Sequence, residues 1–194
     1  MNQHLTQRKA TIEYLRTIVN LLLEDDFGKT REQLSDETDQ CYIDAFHRID
    51  IDSNQYLMVV MLGDEIVGTC HLTIAPSLTF KGQTRMNIEA VRVSAKHRGK
   101  GIGEWMMKVA IEYGKSRGAS IMQLATNKQR TRAKEFYENL GFKASHEGMK
   151  IYLERAEDWI WLDKLCGQLD QDFIKAVDEK PERQERPGLD NFLQ

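Results

Sequence analysis

Between a stretch of strand-like alternation ending at Val93 and a helix-like stretch beginning at Ile102 lies Arg98-Gly-Lys-Gly-Ile-Gly103. No other feature narrows the choice of fold as much. Glycines at this density let the backbone approach a ligand closely and adopt left-handed turns. A helix starting there presents unpaired N–H groups to phosphate oxygens. Arg98 and Lys100 add positive charge beside the same anion. Two familiar glycine motifs do not fit. A P-loop needs Ser or Thr after Gly-Lys, and Lys100 is followed by Gly101; the dinucleotide fingerprint needs Gly at 104 or 106, where Glu104 and Met106 stand. Taken alone, the loop could also be just a glycine-rich end to a strand.

The periods on either side supply its context. Ile12, Leu15, Ile18, Val19, Leu22 and Leu23 recur at three- and four-residue spacing, which predicts an amphipathic helix stopping around Asp25–Gly28. Residues 35–49 predict a second, weaker helix with Ser35 as N-cap. Tyr56–Leu62 and Ile66–Ile74, joined at Gly63-Asp64, predict a hairpin, and 75–84 a loop. Over 85–93 alternation puts Met86, Ile88 and Ala90 on one face and Asn87, Glu89, Val91 and Val93 on the other. A helix from Ile102 to Tyr113 ends at Gly114 or Gly118, a strand covers 120–126, and a helix over 131–140 ends at Gly141. Strands at 142–145 and 149–153 complete the series, an α/β order with a mixed sheet rather than a doubly wound one.

Composition bounds the function. The 194 residues carry 27 Lys+Arg and 30 Asp+Glu, a net charge of −3. Residues 154–194 hold 6 basic and 11 acidic side chains (net −5), which leaves +2 on residues 1–153. Neither part is the basic footprint of a nucleic-acid binder. Three scattered cysteines (Cys41, Cys70, Cys166) make neither a disulfide framework nor a structural zinc site. Met1–Arg16 lacks the apolar core of a signal peptide, and no apolar run is long enough to span a bilayer. A soluble cytoplasmic protein is expected. Charge and proline content place a boundary at 153/154, between a near-neutral body (1–153) and an acidic tail (154–194).

Val91-Arg-Val-Ser-Ala-Lys-His-Arg-Gly-Lys-Gly-Ile-Gly103 resembles motif A of the GNAT acetyltransferase superfamily, with its Q/R-x-x-G-x-G/A signature. Downstream, Thr126-Asn-Lys-Gln-Arg-Thr-Arg-Ala-Lys-Glu-Phe-Tyr-Glu-Asn-Leu-Gly-Phe142 resembles motif B. The likeness covers Ile12 to Leu153. It implies a largely antiparallel central sheet with a splayed strand pair, flanked by helices, and acetyl-CoA as acyl donor to a primary amine of a small molecule. Backbone groups of Val91, Arg92 and Val93 would meet the pantetheine arm. The N–H groups of Arg98, Gly99, Lys100, Gly101, Ile102 and Gly103 would hold the pyrophosphate.

Within that resemblance Glu89 is the candidate general base, acting directly or through a water, and Tyr137 the candidate general acid for the departing thiolate. The alternatives are a solvent-facing or salt-bridged carboxylate and a packed helix aromatic. Motif B usually has Asn three residues before its Ala. This chain has Arg130 there and Asn127 six before, so both are candidate cofactor contacts. The pattern T-N-x-x-R-x-x-A-x-x-F-Y resembles a branch that includes aminoalkylphosphonate acetyltransferases. Arg31 and Glu32 are candidates for the acceptor wall. His71 and His146 read first as structural histidines, and no metal is expected.

The tail reads Trp159-Ile-Trp-Leu-Asp-Lys-Leu, then Leu169, Phe173, Ile174 and Val177 at helical spacing, then a strip with Pro181 and Pro187. Such a peptide packs on its own body, on a sister subunit as a homodimer, or in a partner's groove. Trp161-Leu-Asp, Leu169-Asp-Gln-Asp-Phe173 and Gln184-Glu-Arg-Pro-Gly-Leu-Asp190 resemble the toxin-binding tails of VapB-type antitoxins. That resemblance implies capture of a PIN-type ribonuclease through residues 159–192, with Arg183 or Arg186 entering its acidic metal site. No nucleic-acid or membrane partner is expected.

Overall fold

The computed structural model describes residues 4–24, 32 and 38–151. The chain divides into a unit of Met1–His146 and a second starting at Glu147, of which 147–151 are described. The boundary placed at 153/154, the Ser35 cap, Arg31 and the whole tail reading lie outside the described residues.

Among the described residues five strands form one sheet in the order β1 (Leu5–Lys9), β2 (Gln55–Leu62), β3 (Glu65–Ala75), β4 (Thr84–Val93) and β5 (Ala119–Leu124). All neighbours are antiparallel except β4 and β5, which run parallel. The helices among the described residues are α1 (Leu15–Leu23), α2 (Gln40–Ile51), α4 (Ile102–Ser116) and α5 (Thr131–Asn139), with α3 (Thr79–Gly82) a single turn whose Phe80 and Lys81 are left-handed rather than helical. This is the mixed, largely antiparallel architecture expected from the sequence. Among the described residues no helix is long and apolar enough to cross a membrane.

Alternation along β2 sorts its side chains between two cores. Met58 and Val60 join Cys70, Leu72, Met86 and Ile88 under Met106, Met107 and Ala110 of α4. Leu57, Val59 and Met61 pack instead with Leu15, Ile18 and Val19 of α1 and Phe46 of α2. A strand covered on both faces reads as an unbroken apolar run, as 56–62 does. Each fully buried aliphatic contributes about 1.5–3 kcal/mol by leaving water.

Four expectations need correction. Strand β1 was not anticipated, because Thr6 to Lys9 are exposed and carry no alternation. The β2 ladder recruits it as an edge, assisted by the Tyr56 hydroxyl donating to Gln7 at 2.7 Å and the Lys9–Asp50 ion pair at 2.6 Å. Gly114 lies inside α4 rather than ending it. A Cβ there would stand 2.8 Å from Met86 and 3.0 Å from Met122, so glycine lets the helix close on the sheet; of the two glycines expected to end the helix it is Gly118 that does so, left-handed at φ +77° directly after the C-cap Arg117, its N–H bonding Lys115 O at 2.9 Å. The loop expected over 75–84 is trimmed at both ends, since β3 runs to Ala75 and β4 begins at Thr84, and the turn at Thr79–Gly82 within it is left-handed at Phe80 and Lys81. Finally, residues 142–145 and 149–151 form no strand. The Ser145 N–H bonds Lys143 O at 2.9 Å, a local turn that removes it from any ladder.

Candidate active site

The site is built where β4 and β5 part. Their parallel pairing runs from Thr84↔Ala119 to Ile88↔Leu124, where β5 ends, while β4 continues for five more residues with β3 its one strand neighbour among the described residues. In that stretch the β3–β4 register slips. Thr69 faces Arg92 but His71 faces Glu89, so Ala90 and Val91 together oppose Cys70. Ala90 has φ +50°, left-handed for a residue with a side chain.

The bulge overturns one expectation. Val91 and Val93 pack against the same core as Met86 and Ile88, not on the face of Glu89. The extra residue resets the period of two, so everything beyond it changes sides. Glu89 is exposed and stands opposite His71, away from the α4 core. Burial holds His71 below the usual imidazole range, against the opposing pull of Glu89. The Nε2 of His71 is buried without a hydrogen-bond partner.

Past Val93 the chain makes a short 3-10 turn, Ala95–His97, and then the glycine loop. Gly99 (φ +76°) and Gly101 (φ +78°) are left-handed, with open space where a Cβ would lie. Gly101 caps α4, and its carbonyl accepts from Trp105 N at 3.0 Å. The N–H groups of Ile102, Gly103 and Glu104 have no carbonyl one turn back, and no side chain caps them. Gly103 presses close to α5: a Cβ there would sit 3.4 Å from Phe136 and 3.8 Å from Val93. Arg98 is already engaged, its Nε donating to Val93 O at 3.1 Å and its Nη2 to Glu24 O at 3.4 Å. Lys100 is exposed.

Helix α5 brings Tyr137 to this end of the sheet. Its ring packs edge-on against Phe136 (5.2 Å between centroids) and Phe142 (6.1 Å), and it touches the core that holds Val91 and Val93. Burial raises the phenol above its ordinary pKa; the nearby charges of Arg92 and Arg130 pull it down, and Cys70 adds to the rise. The hydroxyl therefore remains a proton donor at neutral pH. Arg92 bends back so that its Nη1 donates to Val91 O at 2.8 Å. Asn127 serves its own turn: Oδ1 accepts from Gln129 N and the carbonyl from Arg130 N, both at 2.9 Å. Arg130 stands directly ahead of α5.

The structure thus gathers Val91, Arg92, Val93, Arg98 to Gly103, Arg130 and Tyr137 around one strand end, with Glu89 on the far side of the bulge. Sequence reasoning missed Ala90, whose side chain gives no sign of a left-handed backbone. It also missed Glu24, which reads as an ordinary helix-end carboxylate. His71 was visible, but its pairing with Glu89 depends on strand register.

Known proteins converge on this arrangement. Residues 16–142 match the family model described as acetyltransferase (GNAT) family. A glucosamine 6-phosphate N-acetyltransferase of Trypanosoma brucei brucei is 33% identical over 88 residues, 45% of this chain and 58% of that one. The match therefore spans little more than half of that relative. The crystal structure of a transcriptional regulator from Bacillus halodurans C-125 is 44% identical with TM-score 0.75, over 77% of this chain and 100% of that one. A Trypanosoma brucei acetyltransferase structure is 26% identical with TM-score 0.61, again over 77% and 100%. With both motifs, the parted strands and a family match over most of its length, the chain belongs to the GNAT acetyltransferase family.

Proposed function

We propose that the protein is an acetyl-CoA-dependent N-acetyltransferase acting on a primary amine of a small molecule. The observation that carries this reading is the parting of β4 from β5 at Ile88–Leu124, with the unpaired amides of α4 beyond one strand end and Tyr137 beside it.

Acetyl-CoA would supply the acetyl group as a thioester. The chain's residues fit such a molecule: a pyrophosphate needs several converging donors, and Ile102, Gly103 and Glu104 supply N–H groups where no Cβ intrudes at Gly101. Val91, Arg92 and Val93 offer backbone groups to the pantetheine amides, and Arg130 and Asn127 line the start of α5. Glu89 takes the proton from the amine, directly or through a water. Tyr137 gives a proton to the departing sulfur, a task suited to a phenol that burial keeps protonated. Base and acid approach from opposite sides of the bulged strand, which keeps the two proton transfers apart.

The acceptor class follows the curated relative as far as its name allows. Glucosamine 6-phosphate heads the candidates, with aminoalkylphosphonates second on the motif-B resemblance. Both pair an amine with a phosphorus-bearing anion. The test is an assay of free CoA thiol with these amines and neutral amino sugars. Turnover with one of them, lost in Tyr137→Phe, supports the reading; neither turnover nor acetyl-CoA binding contradicts it.

A second reading concerns the tail alone. The sequence 184–190 and the prolines at 181 and 187 favour a partner-binding segment of antitoxin type. A chain truncated after Leu153 should keep acetyl-CoA affinity and lose any captured PIN-type ribonuclease.

A further inference from the structure

Resting on that reading, we propose that Glu24 is a positioning residue for the pyrophosphate loop, latched to it through Arg98, and that Lys100 is the side chain left to meet the phosphate. Glu24 follows the last residue of α1 and lies 74 residues from Arg98 in sequence. Its Oε2 accepts the Ala95 N–H at 2.5 Å. Arg98 reaches back from the other end of the segment. Its Nη2 donates to the Glu24 main-chain carbonyl at 3.4 Å and lies 4.0 Å from Oε2, while its Nε holds Val93 O at 3.1 Å.

The chemistry favours this division of labour. The last carbonyls of α1 lack helical partners and carry partial negative charge, which a cation relieves. The planar fork of a guanidinium holds the Glu24 and Val93 carbonyls through two separate nitrogens at fixed spacing, whereas an ammonium would have to bring both carbonyls to a single nitrogen. The Ala95 N–H, at the start of a 3-10 turn, obtains a carboxylate acceptor, among the stronger hydrogen bonds available. The latch thereby fixes the segment between the end of β4 and Gly99, which aims the amides that follow. A guanidinium spent on it is not free for an anion. Lys100, two residues on, makes no hydrogen bond or ion pair with the described residues. Arg98 is half-exposed and Glu24 a third exposed, so the effect is one of aim rather than of global stability.

Two measurements on the full chain test this. The first needs no ligand: amide exchange at Ala95 should quicken about tenfold or more in Glu24→Ala and stay near wild type in Glu24→Gln, which keeps an acceptor oxygen. The second is calorimetry with acetyl-CoA. Glu24→Ala and Arg98→Ala should each weaken binding roughly five- to tenfold, with the double variant no weaker than either. Arg98→Lys should behave as Arg98→Ala, and Glu24→Gln should bind better than Glu24→Ala. Lys100→Ala should add its own loss in every background and flatten the salt dependence. Unchanged exchange at Ala95, or losses that simply add, would overturn the latch. Failure of the wild type to bind acetyl-CoA would instead break the functional reading, while the exchange arm still decides the latch.

Discussion

From Arg85 to Ile88, β4 is a strand held on both edges: Met86 and Ile88 face Ile74 and Leu72 across β3, and β5 closes the other side as far as Leu124. From Glu89 to Val93 the same strand keeps β3 alone among the described residues, bulges against Cys70, and turns its side chains over. The residues of the two stretches differ little in type, yet one half is core and the other is a half-open edge facing α4 and α5. Pairing rather than composition makes the difference. A strand that loses a neighbour while helices still cover it exposes backbone donors and acceptors in a sheltered place, which is what an extended amide-bearing ligand requires.

Breaking each half should therefore do different damage. In the paired half, Ile88→Ala should cost about 2–5 kcal/mol of stability by opening a cavity in a fully buried site, read by chemical denaturation. Next, Tyr137→Phe should leave folding intact and lower kcat about a hundredfold or more, since it removes a proton donor and little packing. At the junction, Ala90→Val should cost about 1–3 kcal/mol because a β-branched residue resists φ +50°, whereas Ala90→Gly should be near neutral. An equal response to those two changes would mean that the bulge is not a strained feature.

The smallest effect sharpens the comparison through pH. Cys70 faces the bulge with its thiol buried, and burial pushes its pKa from 9.0 up to about 12. The thiol stays protonated in the folded state while the unfolded chain ionises, so its contribution is present below pH 9.0 and is lost as pH rises from there towards about 12. Cys70→Ala should flatten that alkaline decline in melting temperature; an unchanged slope would place the loss elsewhere.

How much of this was legible in the sequence follows from which forces are local. The hairpin, α1 and the glycine loop are written in spacing and turn residues, and the family resemblance singled out Tyr137, Arg98 to Gly103 and Glu89 as candidates without their placement. Ala90 was not legible, because alanine takes the left-handed region only where the surrounding pairing demands it. For the same reason the faces of Val91 and Val93 came out reversed. Strand β1 was invisible since an exposed edge needs no apolar pattern, only a neighbour's free ladder. The partnership of Glu24 with the glycine loop depends on two segments 74 residues apart, which no local period encodes.

The most direct test of the central claim is calorimetric titration of acetyl-CoA into the full chain and into the Gly101→Asp, Gly103→Asp variant. The account predicts micromolar binding by the wild type. In the variant binding should be abolished, because Gly101 needs its positive φ, Gly103 abuts Phe136, and two carboxylates would meet the pyrophosphate at the start of α4. Equal binding by a folded variant, or none by the wild type, would contradict it.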